Sequence, residues 1–261
     1  MVSPSRPVPR PGEPAADRQD WLLSVEDLEV SYGKAPVVHG VSFGVRAGEF
    51  VALLGRNGAG KSSTLHAVCG LIGKRAGRVR FGGADITHAT PERIVALGLV
   101  PVLEGHRVFP SLTVEDNLLV ATYAGRSGEV RQALDRVYAV FPELAERRRQ
   151  PASRLSGGQQ QILAVGQGII ADPRLLILDE PSGGLAPIVV DRILEVAADL
   201  CRAGAAVILV EQLVDKALRH ADQALVMETG RLVRAAPAAD LRGSDVLHEI
   251  YLGAAAAVAR V

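Results

Sequence analysis

The residues best suited to chemistry form a glycine-rich loop that ends in a lysine and a serine. The segment GRNGAGKS, residues 55–62, fits the pattern G-x-x-x-x-G-K-[ST]. The apolar run FVALLG leads into it and the helical stretch KSSTLHAVCGL leaves it, which predicts a buried strand, a loop and a helix. In such a loop, backbone N–H groups and the helix N-terminus hold phosphate oxygens. Lys61 is expected to reach the β and γ phosphates of a nucleotide, and Ser62 to offer a hydroxyl to Mg²⁺.

Two carboxylates at the end of a second apolar run complete this chemistry. The segment LLILDE, residues 175–180, ends in Asp179 and Glu180. Acids at the carboxyl end of a buried strand lie at the crevice where open α/β sheets bind ligands. Asp179 is therefore a candidate for holding Mg²⁺, and Glu180 for positioning and polarising an attacking water. The alternative is a solvated strand end before a turn at Pro181, and the phosphate loop argues against it.

The elements that must position these residues are predicted from the periodicity of apolar positions. The segments LLSVEDLEVSYG and VVHGVSFGVRAGE alternate apolar and polar residues, as half-exposed antiparallel strands do. From about residue 111 to 172 the spacing becomes helical, which predicts a helical insert whose first helix is capped by Ser111 or Thr113. Buried strands then alternate with helices, so we expect a parallel sheet core.

The overall composition limits the class of protein. The chain has 261 residues, of which 48% are hydrophobic and 22% charged, which suits one α/β domain or a domain with a subdomain. Its 29 basic and 29 acidic residues cancel, so no net field favours a nucleic-acid partner. Cys69 and Cys201 lie in apolar helical patterns and are expected to be buried thiols in a reducing compartment.

The two ends of the chain differ from the rest. Residues 1–20 carry five prolines and no apolar run, so we expect a disordered leader and not a signal peptide. Residues 254–261 are expected to be a tail. No stretch approaches the roughly 18 consecutive apolar residues of a membrane-spanning helix, so a membrane role would require a partner.

A third motif points to a family. The segment LSGGQ, residues 155–159, offers a serine hydroxyl, two glycine amides and a helix N-terminus to an anion, although a Gly-Gly pair can also be a simple helix cap. Together with the two motifs above, it makes residues 22–253 resemble the ATP-binding subunit of ABC transporters. The resemblance implies the α/β fold of P-loop nucleotide hydrolases, with a mixed sheet core, an antiparallel β subdomain and a helical insert, in a domain of residues 21–253.

The resemblance also implies ATP and Mg²⁺ as ligands. In the family, the LSGGQ segment contacts the γ-phosphate of ATP that the opposite protomer holds. Tyr32 stands where the family stacks adenine, and the alternative is an ordinary core or surface tyrosine. The residues implied in the chemistry are Glu180, Lys61 and Gln212, and those at the metal are Ser62, Asp179 and Glu104. The nucleotide-binding residues implied are Tyr32, Gly55, Arg56, Asn57, Gly58, Ala59, Gly60, Lys61, Ser62, Ser63, Ser156, Gly157, Gly158 and Gln159.

Three positions depart from the usual ABC pattern. Glu104 replaces a glutamine that joins the metal site to the membrane partner, and its carboxylate can still bind Mg²⁺ or water. Ala186 replaces an aspartate that crosses the dimer interface in many members, so that contact cannot be carried over. Gln212 replaces the switch histidine; it can donate a hydrogen bond to the γ-phosphate but cannot titrate, which leaves more of the chemistry to Glu180.

Several short stretches look most like the subunit of branched-chain amino acid transporters, which also has VEQ at residues 210–212. That subgroup implies integral-membrane permease subunits, a second ATPase subunit of the same or a different kind, an indirect solute-binding protein, and a peripheral place on the cytoplasmic membrane face. The alternatives are transport of urea, an amide or another solute, a non-transport ABC ATPase, or a regulator that binds nucleotide without hydrolysis. The intact Glu180 argues against the regulator. The stretches are SYGKAPVVHGVSF, EGHRVFPSLTVEDNLL, LSGGQQQILAVGQGI, DEPSGGLAP, VEQ and METGRLV.

Overall fold

The computed structural model of the protein describes residues 21–105, 108–124 and 129–242. The expected leader, 1–20, and tail, 254–261, lie outside the described residues. In chain order the elements are β1 (Trp21–Tyr32), β2 (Ala35–Arg46), β3 (Phe50–Leu54), α1 (Lys61–Val68), β4 (Ala76–Phe81), β5 (Ala84–Asp85), α2 (Pro91–Ala96), β6 (Leu99–Val102), α3 (Val114–Ala124), α4 (Val130–Val140), α5 (Pro142–Glu146), a 3₁₀ turn (Ala152–Arg154), α6 (Gly157–Ile170), β7 (Leu175–Asp179), α7 (Pro187–Arg202), β8 (Ala206–Val210), α8 (Val214–His220), β9 (Gln223–Glu228), β10 (Arg231–Pro237) and α9 (Ala238–Leu241).

The described strands form two sheets. The smaller sheet has the order β2-β1-β4-β5 and is antiparallel throughout, with Val25 opposite both Phe43 and Val79. The larger sheet has the order β10-β9-β3-β8-β7-β6; its strands pair in parallel except β10, which runs antiparallel to β9. The core sheet is therefore mixed, and the predicted fold class is confirmed.

The central strands carry the apolar runs seen in the sequence. Every residue of β3, β7 and β8 is buried, because helices or the smaller sheet cover both faces of the larger sheet. Alternate residues of β3 point to opposite sides: Phe50 and Leu54 join one hydrophobic cluster with the helices, and Val51 and Leu53 join the other with the antiparallel sheet.

The segment after β6 is tied down by one buried amide. Thr113 caps α3 by accepting a hydrogen bond from the backbone N–H of Asp116 at 3.0 Å. Asn117 is fully buried, and its side-chain oxygen accepts from the N–H of Phe109 at 2.7 Å. Its Nδ2 donates to the backbone oxygens of Phe109, Leu112 and Thr113. Of the two caps considered, Thr113 is the one observed.

The expected burial of the two cysteines is confirmed. Cys69 and Cys201 are free and buried. Gly204, with a φ of 98°, follows the last turn of α7 and provides the left-handed conformation that ends a helix. Among the described residues, no helix has the length and apolar character needed to cross a membrane.

Candidate active site

The loop between β3 and α1 needs glycine for steric reasons. Gly55, Gly58 and Gly60 have φ values of 149°, 79° and 97°, a region that residues with a side chain rarely adopt. At Gly55 a Cβ atom would lie 2.3 Å from the backbone oxygen of Met227. The loop can therefore lie close to β9 only with glycine at this position.

Lys61, the first residue of α1, lies back over the loop. Its Nζ donates hydrogen bonds to the backbone oxygens of Gly55 at 2.8 Å and Arg56 at 3.2 Å, and only 5% of the residue is exposed. Burial lowers the pKa of Lys61, while the negative charges of Glu180 and Asp179 act in the opposite direction. The ammonium group is thus held at the loop, within the field of both predicted acids.

A hydroxyl and a carboxylate meet at the predicted metal position. Ser62 Oγ donates a 3.2 Å hydrogen bond to Asp179 Oδ1 although the two residues are 117 positions apart. Burial raises the pKa of Asp179, and Glu180 and Glu104 raise it further, whereas the Ser62 hydrogen bond and His66 lower it. Hydroxyl and carboxylate oxygens are the hard ligands that Mg²⁺ prefers, so Ser62 and Asp179 fit the metal.

His66, which was not among the predicted site residues, also faces this position. Its Nε2 lies 3.7 Å from Oδ2 of Asp179, the carboxylate oxygen opposite the one that Ser62 contacts. Ser62 and His66 are four residues apart on α1, and residues with this spacing lie on the same face of a helix. This spacing is the sequence signal that could have placed His66 beside Ser62.

Glu180 and Gln212 meet at the carboxyl ends of β7 and β8. The two strands pair in parallel with Asp179 opposite Val210, and the Glu180 N–H donates to the Val210 oxygen at 2.9 Å. Glu180 then has a φ of 49°, which turns the chain away from the sheet. Gln212 Nε2 donates a 2.8 Å hydrogen bond to Oε2 of Glu180. The predicted base is thus held by Gln212, the residue expected in place of the switch histidine.

Tyr32 ends β1 beside the phosphate loop. Tyr32 is 52% exposed, so the alternative of a core tyrosine is wrong. The hydroxyl lies 3.4 Å from Oγ of Ser63, which is a weak contact. An exposed ring next to the loop fits the stacking of a base.

The LSGGQ segment begins α6. Ser156 is the N-cap: its Oγ accepts from the Gln159 N–H at 3.3 Å, and Gln159 Oε1 accepts from the Ser156 N–H at 3.0 Å. The segment therefore forms a helix N-terminus whose cap is Ser156 and not the Gly-Gly pair. Ser156 and Gly157 are exposed, and the first amides of a helix have no partner within the helix, so an anion can still approach them. Ala186 is exposed at the start of α7 and makes no side-chain cap.

Comparison with known proteins agrees with this geometry. A family model described as ABC transporter matches residues 38–183. The high-affinity branched-chain amino acid transport ATP-binding protein BraG of Pseudomonas aeruginosa is 40% identical over 232 residues, which are 89% of this chain and 100% of that protein. The probable branched-chain amino acid transport ATP-binding protein LivF of Archaeoglobus fulgidus is 32% identical over 89% of this chain and 99% of that protein.

A solved structure of an ATP-binding subunit of an ABC transporter has a TM-score of 0.80 and 30% identity, and the match covers 88% of this chain and 98% of that one. Sequence similarity and fold similarity therefore point to the same family. The chain belongs to the ABC transporter family as one of its ATP-binding subunits, which are ATPases.

Proposed function

We propose that this chain powers an importer of branched-chain amino acids by hydrolysing ATP at the site formed by the loop 55–62, Asp179 and Glu180. The hydrolytic part of this proposal rests on the placement of Glu180, and the choice of solute rests on the similarity to BraG and LivF. The Glu180 carboxylate follows β7 directly, accepts the Gln212 hydrogen bond, and acts electrostatically on Lys61. A base held beside a phosphate loop is what attack by water on a phosphate requires.

Each residue has a defined task in this scheme. The loop amides and Lys61 would hold the β and γ phosphates, and Ser62, Asp179 and Glu104 would hold Mg²⁺, which neutralises phosphate charge when bound. Glu180 would orient a water and accept its proton as the water oxygen bonds to the γ-phosphorus. The bond from the γ-phosphorus to the bridging oxygen breaks, and ADP leaves. Gln212 holds Glu180 in place and offers its amide to the γ-phosphate. Tyr32 stacks the adenine, and most of the catalysis is positioning and charge stabilisation.

The site is completed by a second ATPase subunit. Ser156 and the two following glycines present a hydroxyl and free amides at the protein surface, where the γ-phosphate held by a partner can reach them. The partner is either a second copy of this chain or a related ATPase.

Integral-membrane permease subunits would dock on the helical insert and the Glu104 loop. Three exposed apolar residues belong to the insert or to the segment just before it, namely Phe109, Val120 and Tyr123. An exposed apolar surface of this kind suits a protein partner. The chain would then lie on the cytoplasmic face of the membrane, and a solute-binding protein would act on the same transporter from the other face.

Substitution of Glu180 by glutamine tests the hydrolytic assignment. Glutamine keeps the size of the side chain but cannot accept a proton, so we expect ATP turnover to fall at least about 100-fold. Bound nucleotide would then persist, and size-exclusion chromatography with ATP and Mg²⁺ should show a dimer. Glu195→Gln, on the exposed face of α7, is the matched control and should keep parental turnover. Equal turnover in Glu180→Gln and the parent would refute Glu180 as the base.

The transported solute is tested by uptake. Deletion of the gene for this chain should abolish high-affinity uptake of labelled leucine, isoleucine and valine. Expression of the parental chain should restore this uptake, and expression of Glu180→Gln should not. Loss of urea or amide uptake with unchanged leucine uptake would assign the transporter to the alternative solutes. No loss of solute uptake at all would favour a non-transport ABC ATPase.

A further inference from the structure

Glu211 is a buried carboxylate that the proposed chemistry leaves without a task. It follows β8 directly, is 1% exposed, and lies between the segment after Glu180 and the segment that carries Gln212. A buried carboxylate is costly unless its oxygens are fully hydrogen-bonded. The contacts of this side chain therefore indicate what it stabilises.

The two oxygens of Glu211 bridge two loops. Oε1 accepts from the backbone N–H of Ser182 at 3.0 Å, and Oε2 accepts from the Ser182 hydroxyl at 2.8 Å. Oε2 also accepts from the backbone N–H groups of Gln212 at 3.0 Å and Leu213 at 3.4 Å. One carboxylate thus joins the turn two residues after Glu180 to the turn that carries Gln212, and its donors are all neutral groups.

These contacts surround the Glu180–Gln212 pair. The 2.8 Å hydrogen bond between the Gln212 and Glu180 side chains forms only if both turns keep their relative position. Glu180 itself has a left-handed φ of 49°, a conformation that persists in a non-glycine residue only when its surroundings hold it. Ser182, fixed by two hydrogen bonds to Glu211, lies on the C-terminal side of this strained residue.

We propose that Glu211 is a positioning residue for hydrolysis: its carboxylate fastens the turn after Glu180 to the turn of Gln212, and so fixes the catalytic carboxylate. The proposal rests on the proposed role of Glu180. Glu211 is not expected to contact nucleotide, because its hydrogen bonds go to backbone N–H groups of the two turns and to the hydroxyl of Ser182.

The test uses Glu211→Gln, which keeps the size of the side chain. An amide has one acceptor oxygen; if that oxygen takes the place of Oε2, the NH₂ group faces the Ser182 N–H, and the bond at Oε1 is lost. We expect kcat for ATP to fall about 10- to 100-fold, because small displacements of a catalytic group cost rate, while KM changes less than about threefold. Ser182→Ala should lower kcat less, and Ser182→Thr should restore it because its hydroxyl returns.

Hydrogen exchange distinguishes positioning from general damage. In Glu211→Gln, the amide of Ser182 should exchange about tenfold faster or more, while the amides of α1 keep parental rates. The control Glu195→Gln should change neither kcat nor exchange.

Two outcomes would overturn the proposal. One is parental kcat with Ser182 exchange accelerated, since the clamp would then be irrelevant to rate. The other is a loss of kcat accompanied by faster exchange throughout the protein or by an equal rise in KM. If Glu180→Gln turned over ATP like the parent, the proposed function would fail, whereas the exchange data would still report whether Glu211 holds the two turns.

Discussion

The side chain of Gln212 donates a 2.8 Å hydrogen bond to the carboxylate of Glu180, a residue 32 positions earlier in the chain. The two side chains meet because β7 and β8 are neighbours in the larger sheet and pair in parallel with Asp179 opposite Val210. A neutral amide in this position holds the carboxylate without itself titrating.

Loss of the Gln212 amide should slow hydrolysis. We expect Gln212→Ala to lower kcat about tenfold, because Glu180 loses its side-chain donor, and to leave KM for ATP within about threefold. Gln212→Glu should be slower still, since a second carboxylate beside Glu180 disfavours its charged form. Steady-state ATPase assays check both, with Gln132→Ala on α4 as the control. Parental kcat in Gln212→Ala would show that the contact has no part in the chemistry.

The sequence could predict the parts of this site that are local. The phosphate loop, its strand and its helix are contiguous, and the acids end an apolar run, so each motif has its own signal in neighbouring residues. The strands β3, β7 and β8 were recognisable because strands buried on both faces carry continuous apolar runs.

Contacts between distant segments could not be predicted in the same way. The Ser62–Asp179 bond spans 117 positions and depends on the order in which strands assemble, which no local pattern encodes. In the sequence, Glu211 is simply the middle residue of VEQ. Its burial depends on the turns that pack around it, which the neighbouring residues do not reveal. His66 had a helical spacing to Ser62, but its proximity to Asp179 required the sheet order as well.

The glycines of the phosphate loop should differ in how costly they are to replace. Gly55→Ala combines a positive φ with a Cβ atom 2.3 Å from the Met227 oxygen, so we expect a loss of about 2–4 kcal/mol in the free energy of unfolding. Gly58→Ala meets no atom within 4 Å and should cost only the backbone strain, about 1–2 kcal/mol. Urea denaturation measures both. Gly73→Ala, in open space without a positive φ, should stay within about 0.5 kcal/mol. Equal losses at Gly55 and Gly58 would contradict the proposed close approach to β9.

Tyr32 should contribute through its ring and not through its hydroxyl. Stacking of one base on an aromatic side chain contributes about 1–3 kcal/mol by alanine substitution, so Tyr32→Ala should weaken ATP binding about tenfold or more. Tyr32→Phe should bind like the parent, because the contact to Ser63 is 3.4 Å long. Titration with a nonhydrolysable ATP analogue measures the affinities. Tyr123→Ala is the control, because Tyr123 on α3 is 93% exposed. Parental affinity in Tyr32→Ala would make this an ordinary surface tyrosine.

The thiols of Cys69 and Cys201 should resist alkylation in the folded protein. Their burial should also make the free energy of unfolding fall at alkaline pH. Burial raises the pKa of Cys69 to about 12, and that of Cys201 to about 12 as well. A cysteine thiol in the unfolded chain has a pKa of about 8.5. The stabilisation from keeping the thiol neutral in the folded protein is therefore complete below that pH, and it is lost as the pH rises toward the pKa of the thiol in the folded protein. Each thiol should contribute a decline of about 1.4 kcal/mol per pH unit in that window.

Urea denaturation at pH 7, 9 and 10 should show a shallower decline in the free energy of unfolding for Cys69→Ala than for the parent. Iodoacetamide at pH 8 should modify both cysteines only after denaturant is added. Rapid alkylation of the native protein would mean that the thiols are accessible and that burial does not set their pKa.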